Sequence, residues 1–180
     1  MKTFLSLVLL CCLSNSIFTQ LLVNTNWANE TGLPDPNVAW SASIAAGPFG
    51  GPITVGNTQT TTQGTNVLTT MIDRSGDIVW QQEWNGADGG NDYATCVAYS
   101  DTLIVVGGAT YDTTQAAYDY VVLAYHADNG TLLWTQTYNG TGDGHDVAAS
   151  IAMAYGNICY RWLHGQQHPY GLCHPLPSSG

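Results

Sequence analysis

Positive charge is nearly missing from this chain. Its 180 residues hold 3 Lys and Arg against 13 Asp and Glu, a formal net charge of −10. That shortage argues against nucleic acid as a partner, because such binding rests on neutralising phosphates. It argues equally against attraction to an anionic membrane surface. The familiar catalytic signatures are missing too: no G-x-S-x-G, no H-E-x-x-H and no phosphate-binding loop is present. No apolar run, the N-terminal one over residues 4–13 included, is long enough to span a bilayer. Cysteine is scarce where it counts. Cys11 and Cys12 lie in the apolar N-terminal stretch, leaving Cys96, Cys159 and Cys173, an odd number that implies no closed disulfide framework.

What is present suits strands and turns. Charged residues make up 9% of the chain and hydrophobic residues 44%, with 20 Gly and 10 Tyr. Residues 1–20 have the form of a secretory signal: Lys2, an apolar core over residues 4–13, then Ser14, Asn15 and Ser16. Cleavage is expected between Ser16 and Gln20, and losing Lys2 takes the formal charge to −11. The expected location is extracellular. Sequons at Asn29, Asn129 and Asn139 make these three the glycosylation candidates.

After a Pro-containing lead-in over residues 21–37, hydrophobic alternation and turn residues predict strands over 39–45, 53–58, 67–72 and 78–84. The plan then repeats, with strands over 93–99, 103–108, 119–126 and 132–138. A third unit opens with strands over 147–153 and 157–160. The period is 54 residues: Gly76, Trp80, Gln82, Asn85, Gly86, Gly90, Asp92, Ala94 and Ala98 recur as Gly130, Trp134, Gln136, Asn139, Gly140, Gly144, Asp146, Ala148 and Ala152. With Val67 and Val121, ten of thirty-two aligned positions are identical, which is the mark of a structural repeat. Small residues such as Ala94–Ala98 suit innermost strands near an axis, and Trp80 and Trp134 are expected to wedge between sheets. Asn129-Gly130 reads as a tight hairpin turn.

These residues carry a resemblance. The pattern D-Y-A…V-V-G-G-A-T…Y-D-Y-V-V…D-x-x-G-x-x-x-W-x-x-x-Y-N-G resembles the seven-bladed β-propeller repeat over about residues 39–160. Its D-N-G-T-L-L-W segment is also similar to the outer strand of pyrroloquinoline-quinone-type repeats. The resemblance implies an all-β fold: a partial β-propeller of two four-stranded antiparallel blades plus the start of a third. The blades would span about 38–90, 91–144 and 145–160. It implies no catalytic residues.

Residues 161–180 leave the pattern. Position 54 after Val105-Val106-Gly107-Gly108 holds Cys159-Tyr160-Arg161-Trp162. Trp has the single codon TGG, and Leu163 begins with T or C, so reading one base later turns position 162 into Gly. That shift restores the V-V-G-G register, and residues 161–180 are therefore expected to be a non-repeat, frame-shifted tail.

Each candidate for chemistry has an architectural competitor. Cys159, His164, His168 and Cys173 match the ligand types of a zinc shell, but they fall where the repeat is lost. Asp88, Asn91, Asp92, Asp143 and Asp146 lie in two Gly/Asp-rich connectors and are candidates for calcium, the one metal the pattern suggests. The competing reading has Asp92 and Asp146 bonding backbone amides where the chain crosses between blades. His126 falls in a strand opposite no obvious nucleophile, and His145 falls in a loop beside Asp143 and Asp146. The Trp and Tyr residues suit carbohydrate stacking, but their recurrence at the repeat offset favours packing between blades. No catalytic residue and no cofactor are assigned. The expected role is a non-enzymatic extracellular binding or scaffold module with a protein or carbohydrate ligand; the alternative is a remnant of a quinone-dependent oxidoreductase propeller. Sequencing the transcript across codons 155–165 tests the frame-shifted tail; an uninterrupted frame together with peptides from residues 161–180 rules out an error.

Overall fold

The computed structural model describes residues 38–140, 144–154, 157–164 and 167–175. Among the described residues there are eleven strands and no helix. The first sheet joins β1 (Val38–Ala46), β2 (Pro52–Thr60), β3 (Gly64–Ile72) and β4 (Ile78–Trp84) in that order. The second joins β5 (Asp92–Ser100), β6 (Leu103–Asp112), β7 (Ala117–His126) and β8 (Leu132–Tyr138). The third holds β9 (Asp146–Ala154), β10 (Asn157–His164) and β11 (Gln167–Pro175). Every recorded pairing is antiparallel. The architecture is a partial β-propeller, two full blades and the start of a third, and the ring is not closed. No helix among the described residues is long and apolar enough to cross a membrane.

The third sheet runs further than the 145–160 expected for its unit. β10 continues through Arg161 and Trp162 to His164, and β11 follows to Pro175. Cys159 lies opposite Cys173 in this pair, and the two form a disulfide. The odd cysteine is Cys96, which is buried. With their sulfurs joined, Cys159 and Cys173 have no thiolates to offer zinc.

Packing explains why the strands read as they do. β6 sends Ile104 and Val106 toward the first sheet and Val105 toward the third, so both faces are buried and the strand is a continuous apolar run. The first core joins Ile53, Val55, Val67, Met71 and Trp80 to Val97, Val106, Val121, Leu123 and Tyr125 across the gap between blades. The second joins Val105, Tyr120 and Val122 to Ala148, Ile158, Tyr160 and Trp162. Burial pushes the Tyr125 phenol up to about 12.

The blades also share their irregularities. Each innermost strand carries a register shift at one place: between Ser41 and Ser43, between Ala94 and Cys96, and between the partners of Ala148 and Ser150. Such bulges bend a strand and re-aim a side chain. In β5 the shift passes over Thr95, whose hydroxyl donates to the Ala148 carbonyl of the next blade at 2.5 Å. The outer strands are shifted too, just before Trp80 and Trp134.

The Trp80 wedge matches the expectation for that residue. It is buried, its ring lies 6.1 Å from that of Tyr125, and its indole N–H donates to the Ala127 carbonyl at 2.7 Å. The β7–β8 turn reaches this ring through Gly130, which sits at φ +69°. A Cβ there would fall 2.6 Å from Trp80 Cε3. Trp134 is only half-buried, packed against the core between the second and third sheets. Gly130→Val is expected to cost about 2–4 kcal/mol, from left-handed strain and overpacking together. Gly89, at φ +62° with nothing within 4 Å of a Cβ, meets the strain alone. Urea unfolding of both Val variants checks this; equal losses would remove the steric part of the wedge.

Candidate functional site

Blade geometry gathers five chain segments at one end of the second sheet. β5 begins there with Asp92 and Tyr93, β6 ends there with Tyr111, and β7 begins there with Tyr118. The connector over residues 85–91 and the residues Gly144-His145 ahead of β9 lie at the same end.

Asp92 is the anchor of the first crossing. It is fully buried, and Oδ2 accepts the Gly86 N–H at 2.5 Å while Oδ1 accepts the Thr110 hydroxyl at 2.6 Å. Gly86 has to be glycine here: a Cβ would lie 2.4 Å from Thr110 Oγ1 and 2.9 Å from Asp92 Oδ1. Burial raises the Asp92 pKa above its ordinary value, and bonds from Gly86, Thr110 and Tyr111 offset part of that rise. Asp146 repeats the arrangement 54 residues later, with Oδ2 accepting the Gly140 N–H at 2.6 Å.

The other candidates are placed apart. Asp88 is exposed and accepts both the amide and the hydroxyl of Thr113, at 2.9 and 3.0 Å, which lowers its pKa. Asn91 accepts the Thr65 N–H at 3.0 Å and so ties the connector to the first blade. Asp143 lies outside the described residues. The oxygens of Asp88, Asn91 and Asp92 thus turn to separate partners, and among the described residues no group of three or more His, Cys, Asp or Glu gathers to hold a metal. Of the sequons, Asn129 is exposed at a hairpin tip, its Oδ1 accepting the Thr131 N–H at 2.9 Å. Asn139 is half-buried and donates to Gln115 Oε1. Asn29 lies outside the described residues.

Sequence reasoning missed what the crossing builds around itself. Tyr93, Tyr111, Tyr118 and His145 form one aromatic cluster, with ring centroids 5.7 Å apart for Tyr93–Tyr118, 5.1 Å for Tyr111–Tyr118 and 5.4 Å for Tyr118–His145. The tyrosines are half-exposed and the histidine is exposed. The Tyr118 backbone N–H donates to His145 Nδ1 at 3.1 Å, which places the neutral ring's own proton on Nε2. Burial raises the Tyr118 phenol, and a hydrogen bond with Tyr93 adds to the rise. None of these four residues has an aromatic counterpart 54 residues away, so the repeat gave no signal for them. A second omission is Asp119, whose Oδ1 is buried without a hydrogen bond. Burial raises its pKa, and the charges of Asp112 and Asp146 add to that.

A search of protein-family models finds no match for this chain, and a search of curated proteins finds no relative.

Asp92→Ala is expected to cost about 2–3 kcal/mol, since it leaves the Gly86 amide and the Thr110 hydroxyl without their acceptor. The pH dependence follows from the raised pKa. The folded state holds the Asp92 proton more tightly than the unfolded chain, so this group's share of stability is full below the ordinary carboxylate value of 3.8 and is lost as pH rises through the folded value. Asp92→Asn should remove that slope. Urea midpoints measured between pH 3 and pH 7 check both; an unchanged slope in Asp92→Asn would assign it elsewhere.

Proposed function

We propose that this chain is a secreted, non-enzymatic binding or scaffold module of the seven-bladed β-propeller repeat family, and that the tyrosine cluster at the connector end of the second blade meets its ligand, a protein or a carbohydrate. The observation that carries the reading is that Tyr93, Tyr111, Tyr118 and His145 stand half-exposed or exposed together beside connectors whose carboxylates are held by the backbone. Flat, amphipathic rings fixed at close spacing offer contact area at little entropic cost, and their hydroxyl and imidazole edges add direction. The Cys159–Cys173 disulfide supports the extracellular part of the reading, since such bonds persist in oxidising compartments.

Tyr111→Ala is expected to weaken ligand binding about tenfold or more while leaving the far-ultraviolet circular dichroism unchanged. The measurement is binding of the secreted chain and its variant to an immobilised glycan panel and to extracellular proteins of its source. Dye-linked dehydrogenase activity after loading with pyrroloquinoline quinone would overturn the non-enzymatic reading. Binding that survives Tyr111→Ala would move the contact away from this cluster.

A further inference from the structure

The third sheet turns one face to the second blade and the other outward. On β10 the inward side chains are Ile158, Tyr160 and Trp162, all buried in the core shared with the second sheet. The residues that alternate with them, Cys159, Arg161 and Leu163, therefore face out. Register places Cys159 between Ala152 of β9 and Cys173 of β11, and Arg161 between Ser150 and Gly171. Paired residues share a face, so the Cys159–Cys173 disulfide and the Arg161 side chain stand side by side on the outward surface.

Exposed disulfides are the ones that exchange with thiols, and this one is open to solvent. Cys173 is exposed, and it stands on β11, an edge strand of its sheet. Its neighbours on that face are small. A Cβ at Gly171 would meet nothing closer than the Tyr160 carbonyl oxygen at 3.8 Å. A shallow depression of about 290 Å³ results, with Cys159, Cys173, Gly171, Arg161 and Ser150 in its lining. Its charge is of the opposite sign to that of the chain. β10 and β11 carry no carboxylate, while Asp146, the one on β9, is buried and accepts the Gly140 N–H. Cys96, the free cysteine among the described residues, lies in the core on the inner side of this sheet, where burial raises its thiol pKa. The sheet itself separates it from the disulfide.

We propose that Cys159–Cys173 is a thiol-exchange site whose co-reactant is a small thiol bearing carboxylates. The thiol gives its proton to water, and its sulfur bonds to Cys173 Sγ. The S–S bond breaks, and the electron pair leaves on Cys159 Sγ. Arg161, two residues along the same face of β10, stabilises that thiolate until it takes a proton from water. The same guanidinium meets the carboxylates of the incoming molecule. The product is a mixed disulfide at Cys173. A second molecule of the small thiol then attacks the sulfur bound to Cys173 and leaves with it as the oxidised dimer. Cys159 and Cys173 are left as two thiols, so the protein gains the two electrons and two protons that the small thiol loses.

The test treats the full chain with reduced glutathione and, separately, with cysteamine, which carries an amine in place of carboxylates. Samples are quenched in acid, blocked with N-ethylmaleimide in denaturant and mapped by mass spectrometry. The earliest glutathione adduct is expected on Cys173, with Cys159 recovered as a maleimide-blocked thiol and Cys96 free of glutathione. Arg161→Gln, at an exposed position, is expected to slow exchange with glutathione about threefold more than exchange with cysteamine. Gly171→Val fills the depression and is expected to slow both thiols alike, with the far-ultraviolet circular dichroism unchanged. A disulfide left intact by millimolar glutathione in the folded chain would overturn the proposal, as would an earliest adduct on Cys96 or Cys159. Equal slowing of the two thiols by Arg161→Gln would overturn the selection for carboxylates.

Discussion

A sheet that is apolar on both faces has no stable existence in water unless something lies against each side. That constraint governs this molecule. β6 and β7 are buried almost end to end, and their side chains are divided between two cores that share no residue. The second blade is therefore held only because the first and third lie on either side of it. Polar groups reinforce the same seams. Asn57 Oδ1 accepts the Ala94 N–H at 2.7 Å, the Trp80 indole reaches Ala127, and Thr95 reaches Ala148. Each bond joins backbone on one blade to a side chain on another, which fixes the register between sheets where hydrophobic contact alone would let them slide.

Much of this was legible because the constraint writes itself into the sequence. Ten of the eleven strands announce themselves through alternation or apolar runs bounded by turns, and the 54-residue offset joins Trp80 to Trp134 and Asp92 to Asp146. The reading that Asp92 and Asp146 bond backbone amides follows from chemistry available in the sequence: a carboxylate beside glycines at a sharp crossing has amides within reach. β11 was not legible. Its residues, QHPYGLCHP, include two prolines and no alternation, and no copy elsewhere in the chain lends support. The Cys159–Cys173 bond was hidden for the same reason, since pairing depends on β11 being there to set the register.

The aromatic cluster was illegible for a different reason. Tyr93, Tyr111, Tyr118 and His145 come from four segments spread over more than fifty residues. Nothing in their spacing is periodic, and they meet only because antiparallel strands return to the same end of a sheet. A repeat analysis weights what recurs, and these residues do not recur with their chemistry intact. The blade framework is the part that is copied. The residues that depart from the copy, on the loops that framework positions, are where individual function is most readily placed.

Departure from the copy also shapes the third sheet. Fifty-four residues after Gly107 stands Arg161, and after Thr95 stands Ala149. Gly107 lets Ile151 of the next blade come so close that a Cβ would lie 2.7 Å from its Cδ1, and Thr95 supplies the hydroxyl bond across that seam. The strand pairing around these positions is nevertheless retained: Cys96 faces Gly107 in the second blade, and Ser150 faces Arg161 in the third. The backbone plan thus continues while the side chains that receive a neighbour are replaced by a charge and a methyl group. That face presents the exposed Arg161 where the second blade presents the buried backbone of Gly107, and Ala149 offers no hydroxyl. The outer strand behaves otherwise: Trp134 and Gln136 keep the residue types of Trp80 and Gln82, and Trp134 packs against the core shared with the third sheet, so the copied side chains of this seam lie on β8 and the replaced ones on β9 and β10.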